Sequence, residues 1–242
     1  MAPFKISHRT FYTAWVAKAA RLTMCAALAG CAVNVGAADA AGPIKVPAPV
    51  FDPPAAAKTT ATAVLSGGCF WGLQGVFEHV KGVRQVLSGY AGGKRFTAQY
   101  DLVSTGTTGH AESIKVDFDP AQISYGQILR IYFSVATDPT QLNQQFPDEG
   151  TQYRGEIWTL DAAQKAVAER YVAQLSAARV FRQRIVTRID PYVGFYPAEG
   201  YHQDYLLRHP DQPYIATYDI PKVAALRALF PEAYRASPVR SM

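Results

Sequence analysis

Two glycines, a cysteine and two large aromatics stand where one element of structure has to end and another begin, in the run Ser66-Gly67-Gly68-Cys69-Phe70-Trp71-Gly72. Upstream, Ala61 to Leu65 has the small and β-branched residues of a short strand. Downstream, Leu73, Val76, Phe77 and Val80 recur at i, i+3, i+4 and i+7, which predicts an amphipathic helix ending at Gly82. A strand that turns into a helix within three residues needs the backbone angles and close approaches that glycine permits. The junction also puts Cys69 at the amino end of a helix, where the dipole is expected to pull a thiol pKa down from about 8.5. A lone cysteine is more often a buried structural residue. Here the glycines before it and the aromatics after it favour a presented nucleophile.

The rest of the chain continues the alternation. Val83 to Tyr90 predicts a second strand, and Gly92-Gly93 opens a long polar loop running through Tyr100 to Gly109. Ile114, Val116 and Phe118 then alternate with polar residues, a half-buried strand closed by Asp119-Pro120. Ser124 and Gln127 form a capping box for a helix along Ile128, Ile131, Tyr132 and Val135 that stops before Pro139. A short strand with Ile157 and Leu160, a third helix capped by Asp161 and Gln164 along Val167, Tyr171 and Leu175, and a strand over Ile185, Thr187 and Ile189 follow. Strand, helix, strand, strand, helix, strand is the order of a ferredoxin-like split unit. The expected fold is therefore α+β, a two-layer sandwich with a split β-α-β core and appended elements.

Residues 1–40 have the composition of an export leader: Lys5, Arg9, Lys18 and Arg21 precede a mostly apolar stretch from Leu22 to Ala38, too short for a membrane span. Two endings compete. Leu28-Ala29-Gly30-Cys31 resembles a bacterial lipoprotein box, whereas Ala38-Asp39-Ala40 is an A-x-A cleavage site. The chain is thus expected to be exported, to the periplasm, with membrane contact only through a lipid at Cys31. Residues 41–60, rich in Pro and Ala, read as an extended linker with little to bury, and residues 61–242 as the catalytic domain. Four of the 24 Lys and Arg and one of the 19 acidic residues lie in the leader, leaving 20 against 18. A nearly neutral domain without a basic stripe argues against nucleic acid as a partner. Of the three cysteines, Cys25 and Cys31 fall in the leader, so neither a disulfide framework nor a cysteine-based zinc site is available to the domain.

Polar candidates cluster in Tyr100 to Glu112, Asp138 to Arg154 and Pro197 to Tyr205. Glu112 is in phase with Ile114, Val116 and Phe118, so it would point to the apolar face, where desolvation raises a carboxyl pKa toward that of a proton donor. A surface acid at a strand edge is the alternative. Tyr153 has a phenolic hydroxyl to donate. Glu199 and His202 supply an acid and an imidazole, and His202 reads more readily as a structural hydrogen bonder than as a base.

Gly68-Cys69-Phe70-Trp71-Gly72, Thr108-Gly109-His110-Ala111-Glu112, Gly150-Thr151-Gln152-Tyr153-Arg154 and Pro197-Ala198-Glu199-Gly200-Tyr201-His202-Gln203 occur in the order seen in A-type peptide methionine sulfoxide reductases, which the chain resembles over about residues 62 to 207. The resemblance implies reduction of methionine-S-sulfoxide, with Cys69 attacking the sulfoxide sulfur and Glu112 protonating its oxygen. It further implies that Tyr100 and Tyr153 hydrogen-bond that oxygen, that Phe70 and Trp71 wall the site for the substrate methyl group, and that Asp148 gives polar contacts. The products would be methionine and a cysteine sulfenic acid. Oxidised proteins or peptides and a thioredoxin-like or other dithiol reductant are the implied partners, with no metal or bound cofactor. Two departures stand out: the family's usual Asn-Gln-Gly-Asn-Asp appears as Asn143-Gln144-Gln145-Phe146-Pro147-Asp148, and Gly155 replaces the usual Ser. Resolving cysteines found near the carboxyl end of many members are lacking from Tyr205 to Met242. Two rivals remain: a thiol hydrolase or acyltransferase using Cys69 and His202, and an exported module that binds a ligand against Phe70 and Trp71.

Overall fold

A computed structural model describes residues 42–54 and 59–241. The expected leader, with Cys25, Cys31 and both cleavage motifs, lies outside the described residues. The first strand, β1 (Ala61–Ser66), leads through Gly67 and Gly68 into α1 (Phe70–Glu78), and β2 (Val83–Ala91) returns alongside. The polar loop that follows carries a short helix, α2 (Tyr100–Val103), before β3 (Ala111–Phe118). Next come α3 (Tyr125–Ile131), a two-rung hairpin of β4 (Gln144–Gln145) and β5 (Asp148–Glu149), then β6 (Glu156–Thr159) and α4 (Ala162–Ala177). Beyond them lie β7 (Arg188–Pro191), β8 (Phe195–Pro197), α5 (Tyr205–Arg208) and α6 (Ile220–Leu229).

The main sheet runs β7-β6-β1-β3-β2-β8. Its middle four strands, β6-β1-β3-β2, pair antiparallel with one another, which is the split unit; β7 adds parallel to β6, and β8 antiparallel to β2. The α+β class expected from the element order is the class observed. Helices cover one face, where Ile114, Val116 and Phe118 of β3 meet Leu73, Val76 and Phe77 of α1 and Ile128 and Leu129 of α3 in one buried cluster. The far face keeps only Val64, Ala91 and Trp158 buried together.

Local signals place the ends of the helices. Ser124 Oγ accepts from the Gln127 amide and the Gln127 side chain accepts from the Ser124 amide, the reciprocal box that starts α3. Asp161 caps α4 through the Gln164 amide at 2.8 Å. After Ile131 the helix widens into a π turn over Tyr132–Ala136, which sends the Tyr132 hydroxyl to the Ser66 carbonyl at 2.6 Å and so fixes the end of β1. The last expected strand is displaced: Ile185 and Thr187 are irregular, and pairing begins at Arg188.

The expected linker is corrected over residues 42–54. Rather than having little to bury, this segment is an extended strap laid across α3 and α4, with Val46 fully buried. Arg130 Nε donates to the Val46 carbonyl at 2.9 Å, Tyr171 OH to that of Pro47 at 2.7 Å and Gln174 Nε2 to that of Ala48 at 2.8 Å. Asp52 accepts from the Gly126 amide at 3.0 Å and from the Ser124 hydroxyl, adding a second cap to α3.

Candidate active site

Cys69 is the N-cap of α1 and only 8% exposed. Gly68 ahead of it has φ +99°, a left-handed conformation that disfavours any side chain, and a Cβ there would fall 2.7 Å from that of Gln145. Gln145 is in turn fixed by both amide atoms to the Asp138 backbone, at 2.9 and 2.6 Å. The nucleophile turn is therefore clamped from the β4–β5 hairpin.

Glu112, the second residue of β3, points to the helix-covered face as its phase predicts and is 3% exposed. Its Oε2 accepts from the Phe70 amide at 3.0 Å, a free donor of the first turn of α1. Burial pushes its pKa up to about 8, with the nearby Asp148 and Asp219 adding and the Phe70 amide opposing. A carboxyl in this setting keeps its proton at neutral pH.

The expectation for Cys69 itself is corrected. Its pKa is raised, not lowered: burial acts first, the charges of Glu112, Asp219 and Asp148 act in the same sense, and only the Trp71 amide at the helix end opposes them. The helix terminus is present, but desolvation among acids outweighs it. The site therefore holds a thiol beside a carboxylic acid.

Tyr100 opens α2 and Tyr153 closes a 3-10 turn over Thr151–Tyr153. Burial, Glu112 and Cys69 all push both phenols up, so each keeps its hydroxyl proton. Asp148 in β5 takes a hydrogen bond from Tyr214 OH, and its charge reaches both Cys69 and Glu112. The altered run before it thus becomes a hairpin with Phe146 exposed near its tip, while Asp148 stays at the site. Phe70 is 1% exposed and packs its ring on Tyr90 and His202. Trp71 is more open, stacked on Tyr205 at 3.9 Å between ring centres.

His202 does not complete a thiol–imidazole pair. Its Nδ1 accepts from Trp71 Nε1 at 3.1 Å, which leaves the proton on Nε2, and burial lowers its pKa. Glu199 is likewise committed, accepting from Tyr90 OH at 2.8 Å and from the Tyr100 amide at 3.0 Å. Both act as braces that hold the Trp71 ring and the start of α2. The acid–base partner beside the thiol is Glu112.

Tyr205, the end of the third polar segment, stacks on Trp71, and Tyr214, Asp219 and Lys222, which carry no expectation from the sequence, also reach the site. Asp219-Ile220-Pro221 does carry a signal, since an Asp followed within two residues by a Pro reads as an N-cap and first turn of a helix. That signal indicates an ordinary cap, not a carboxylate turned inward.

Against known proteins, the profile of the family described as "Peptide methionine sulfoxide reductase" matches residues 61–233. "Peptide methionine sulfoxide reductase MsrA 2" of Mesorhizobium japonicum is 53% identical over 184 residues, 76% of this chain and 94% of that protein. A protein of the same name from Synechocystis is 46% identical over 194 residues, 79% of this chain and 91% of its own length. Among solved structures, methionine sulfoxide reductase A of Corynebacterium diphtheriae aligns with a TM-score of 0.54 at 32% identity over 73% of this chain and 91% of that one. Reduced Mxr1 from Saccharomyces cerevisiae aligns with a TM-score of 0.60 at 28% identity, covering 66% and 91%.

Proposed function

The chain belongs to the peptide methionine sulfoxide reductase family, and from that membership we propose that it reduces the S epimer of methionine sulfoxide, in proteins and as the free amino acid, to methionine. What supports this most directly is the side-by-side burial of the Cys69 thiol and a Glu112 carboxyl that stays protonated up to about pH 8. A sulfoxide sulfur is a poor electrophile until its oxygen is protonated, so acid and thiol have to act together. Glu112 gives its proton to the oxygen while Cys69 sulfur bonds to the sulfoxide sulfur. The thiol proton restores Glu112. The hydroxyl oxygen then passes from the substrate sulfur to that of Cys69 as the sulfur–sulfur bond breaks, so that Cys69 becomes a sulfenic acid and methionine leaves, the cysteine oxidised and the sulfoxide reduced by two electrons. Tyr100 and Tyr153, held protonated, donate to the same oxygen. Trp71 offers an apolar surface to the substrate methyl group, backed by the buried Phe70, and Asp148 supplies polar contacts.

Among the described residues Cys69 is the only cysteine. Recycling then falls to an outside dithiol, from a thioredoxin-like protein or another reductant: one sulfur attacks the sulfenic acid, releasing water and forming a mixed disulfide, and its second sulfur breaks that bond and frees the Cys69 thiol. The test uses separated sulfoxide epimers. With a dithiol, the S epimer should turn over and the R epimer should not. With one equivalent of S epimer and no reductant, Cys69 should gain one oxygen atom by intact mass and react with a sulfenic-acid trap. Turnover of the R epimer instead would defeat the assignment, and an intramolecular disulfide after one turnover would defeat the recycling scheme.

The repair is proposed to take place outside the cytoplasm. Support comes from the basic start, apolar middle and small-residue endings of residues 1–40. The mature protein should begin at a lipid-modified Cys31 or at Ala41, and recovery of full-length chain from the cytoplasm would contradict both.

A further inference from the structure

Trp71 is the near end of a run of rings that continues past the sulfoxide site. Tyr214 meets it edge-on at 6.3 Å between ring centres, Tyr218 lies 5.2 Å from Tyr214, and Phe146 lies 5.8 Å from Tyr218. Tyr214 is half-buried and fixed by the hydrogen bond from its hydroxyl to Asp148, Tyr218 is half-buried, and Phe146 is 68% exposed. A phenylalanine exposed alone needs no explanation, whereas one that ends a continuous apolar path from a reaction site does. The Phe146 end is held in place. Its amide donates to Gln141 Oε1 at 2.8 Å, and the neighbouring Gln145 side chain is bonded through both amide atoms to the Asp138 backbone. Both outer rings line one cavity of about 210 Å³, shared with Pro43, Phe133, Pro139 and Phe181 and with Asp138 and Lys222 as its charged residues.

A free amino acid offers nothing to the outer rings, because its one side chain is committed at Trp71. A polypeptide does, since three ring-to-ring steps of this size are covered by at most about five extended residues, which rise about 3.3 Å each. We propose that Phe146 and Tyr218 form a subsite for an apolar side chain that flanks the oxidised methionine in a polypeptide, within about five residues of it. What sits at Trp71 rests on the sulfoxide reduction proposed above, whereas the adhesion of an apolar chain to the outer rings does not. Methionine is commonly a core or interface residue with apolar neighbours, and the polar sulfoxide disrupts that packing and exposes them. Proteins damaged in this way present the occupant these rings fit, an extended apolar segment next to the sulfoxide. Phe146 lies in the run that departs from the family's usual one, so the subsite belongs to this chain's own sequence and not to the shared motifs.

The test compares dithiol-driven reduction of free methionine-S-sulfoxide, of a glycine-rich peptide with one central methionine-S-sulfoxide, and of the same peptide with a phenylalanine three residues to either side. Wild type should have a KM about tenfold lower for the phenylalanine peptide than for the glycine one, the scale of burying one aromatic ring. Phe146→Ala should remove most of that difference at unchanged kcat, and should change kcat/KM for the free amino acid by less than about twofold. Tyr218→Ala should do the same, and it carries the test if Phe146→Ala fails to fold. Failure of both variants to fold overturns the proposal by making the rings structural. A loss of activity on all three substrates together also overturns it, since the substitution would then have moved the Gln145 clamp. Equal KM values for the two peptides in wild type overturn it as well, leaving the rings to a second copy of this chain or to residues ahead of Gly42. Should wild type reduce no sulfoxide, the proposed activity fails, and the subsite is judged by fluorescence anisotropy of labelled peptides with plain methionine at the centre. The phenylalanine peptide should then still bind wild type about tenfold tighter than it binds Phe146→Ala, and equal affinities would overturn the subsite too.

Discussion

Cys69→Ser is expected to abolish sulfoxide reduction, at least about a thousandfold below wild type, while the protein stays folded. Serine replaces sulfur by oxygen in a position that is 8% exposed and makes no disulfide, so the change in packing is small. A hydroxyl beside a protonated carboxyl is neither ionised nor a good nucleophile toward sulfur. No other cysteine among the described residues can take its place. Single-turnover assays of a peptide sulfoxide, beside a thermal melt of the same sample, measure both halves of this statement. Residual activity within tenfold of wild type would remove Cys69 as the nucleophile.

Glu112→Gln should slow the reductive half-reaction by about a hundredfold or more, with a much smaller effect on substrate affinity, because general acid catalysis contributes on that scale. The amide keeps the shape of the side chain, and its carbonyl can still accept from the Phe70 amide. What it lacks is the proton. The wild-type rate should also fall as pH rises through about 8, since the raised pKa means that the acid form is present below that value and lost above it. In the glutamine variant that fall should vanish. Wild-type single-turnover rates in the variant, or a pH profile unchanged by it, would eliminate Glu112 as the acid.

How far the chain could be read in advance follows the range of each signal. The Ser124–Gln127 box, the Asp161 cap and the alternation through Ile114, Val116 and Phe118 are local patterns, and each marks the element that forms there. Glu112 was legible for the same reason, being in register with that alternation. The Cys69 pKa was not, because the helix end is written in neighbouring residues while the acids that override it come from β3, β5 and the start of α6. Asp219 and Tyr214 acquire meaning only when the carboxyl-terminal elements fold back over α1. The strap escaped notice because an extended Pro-rich segment has no periodicity, and its burial rests chiefly on Val46 and on carbonyls that accept from distant side chains.

That strap also bears on the order of events while the chain is being made. The side chains that grip it, Arg130, Tyr171 and Gln174, lie 84 to 126 residues further on. Contacts of such long range form late, because a large loop has to close before they return anything. Until synthesis has passed Gln174, residues 42–54 lack the full set of partners that hold them in the finished fold, since Arg130 and the start of α3 are made before Tyr171 and Gln174. The strap thus stays incompletely held through much of translation. Docking of the strap then completes the fold only once α4 has been made.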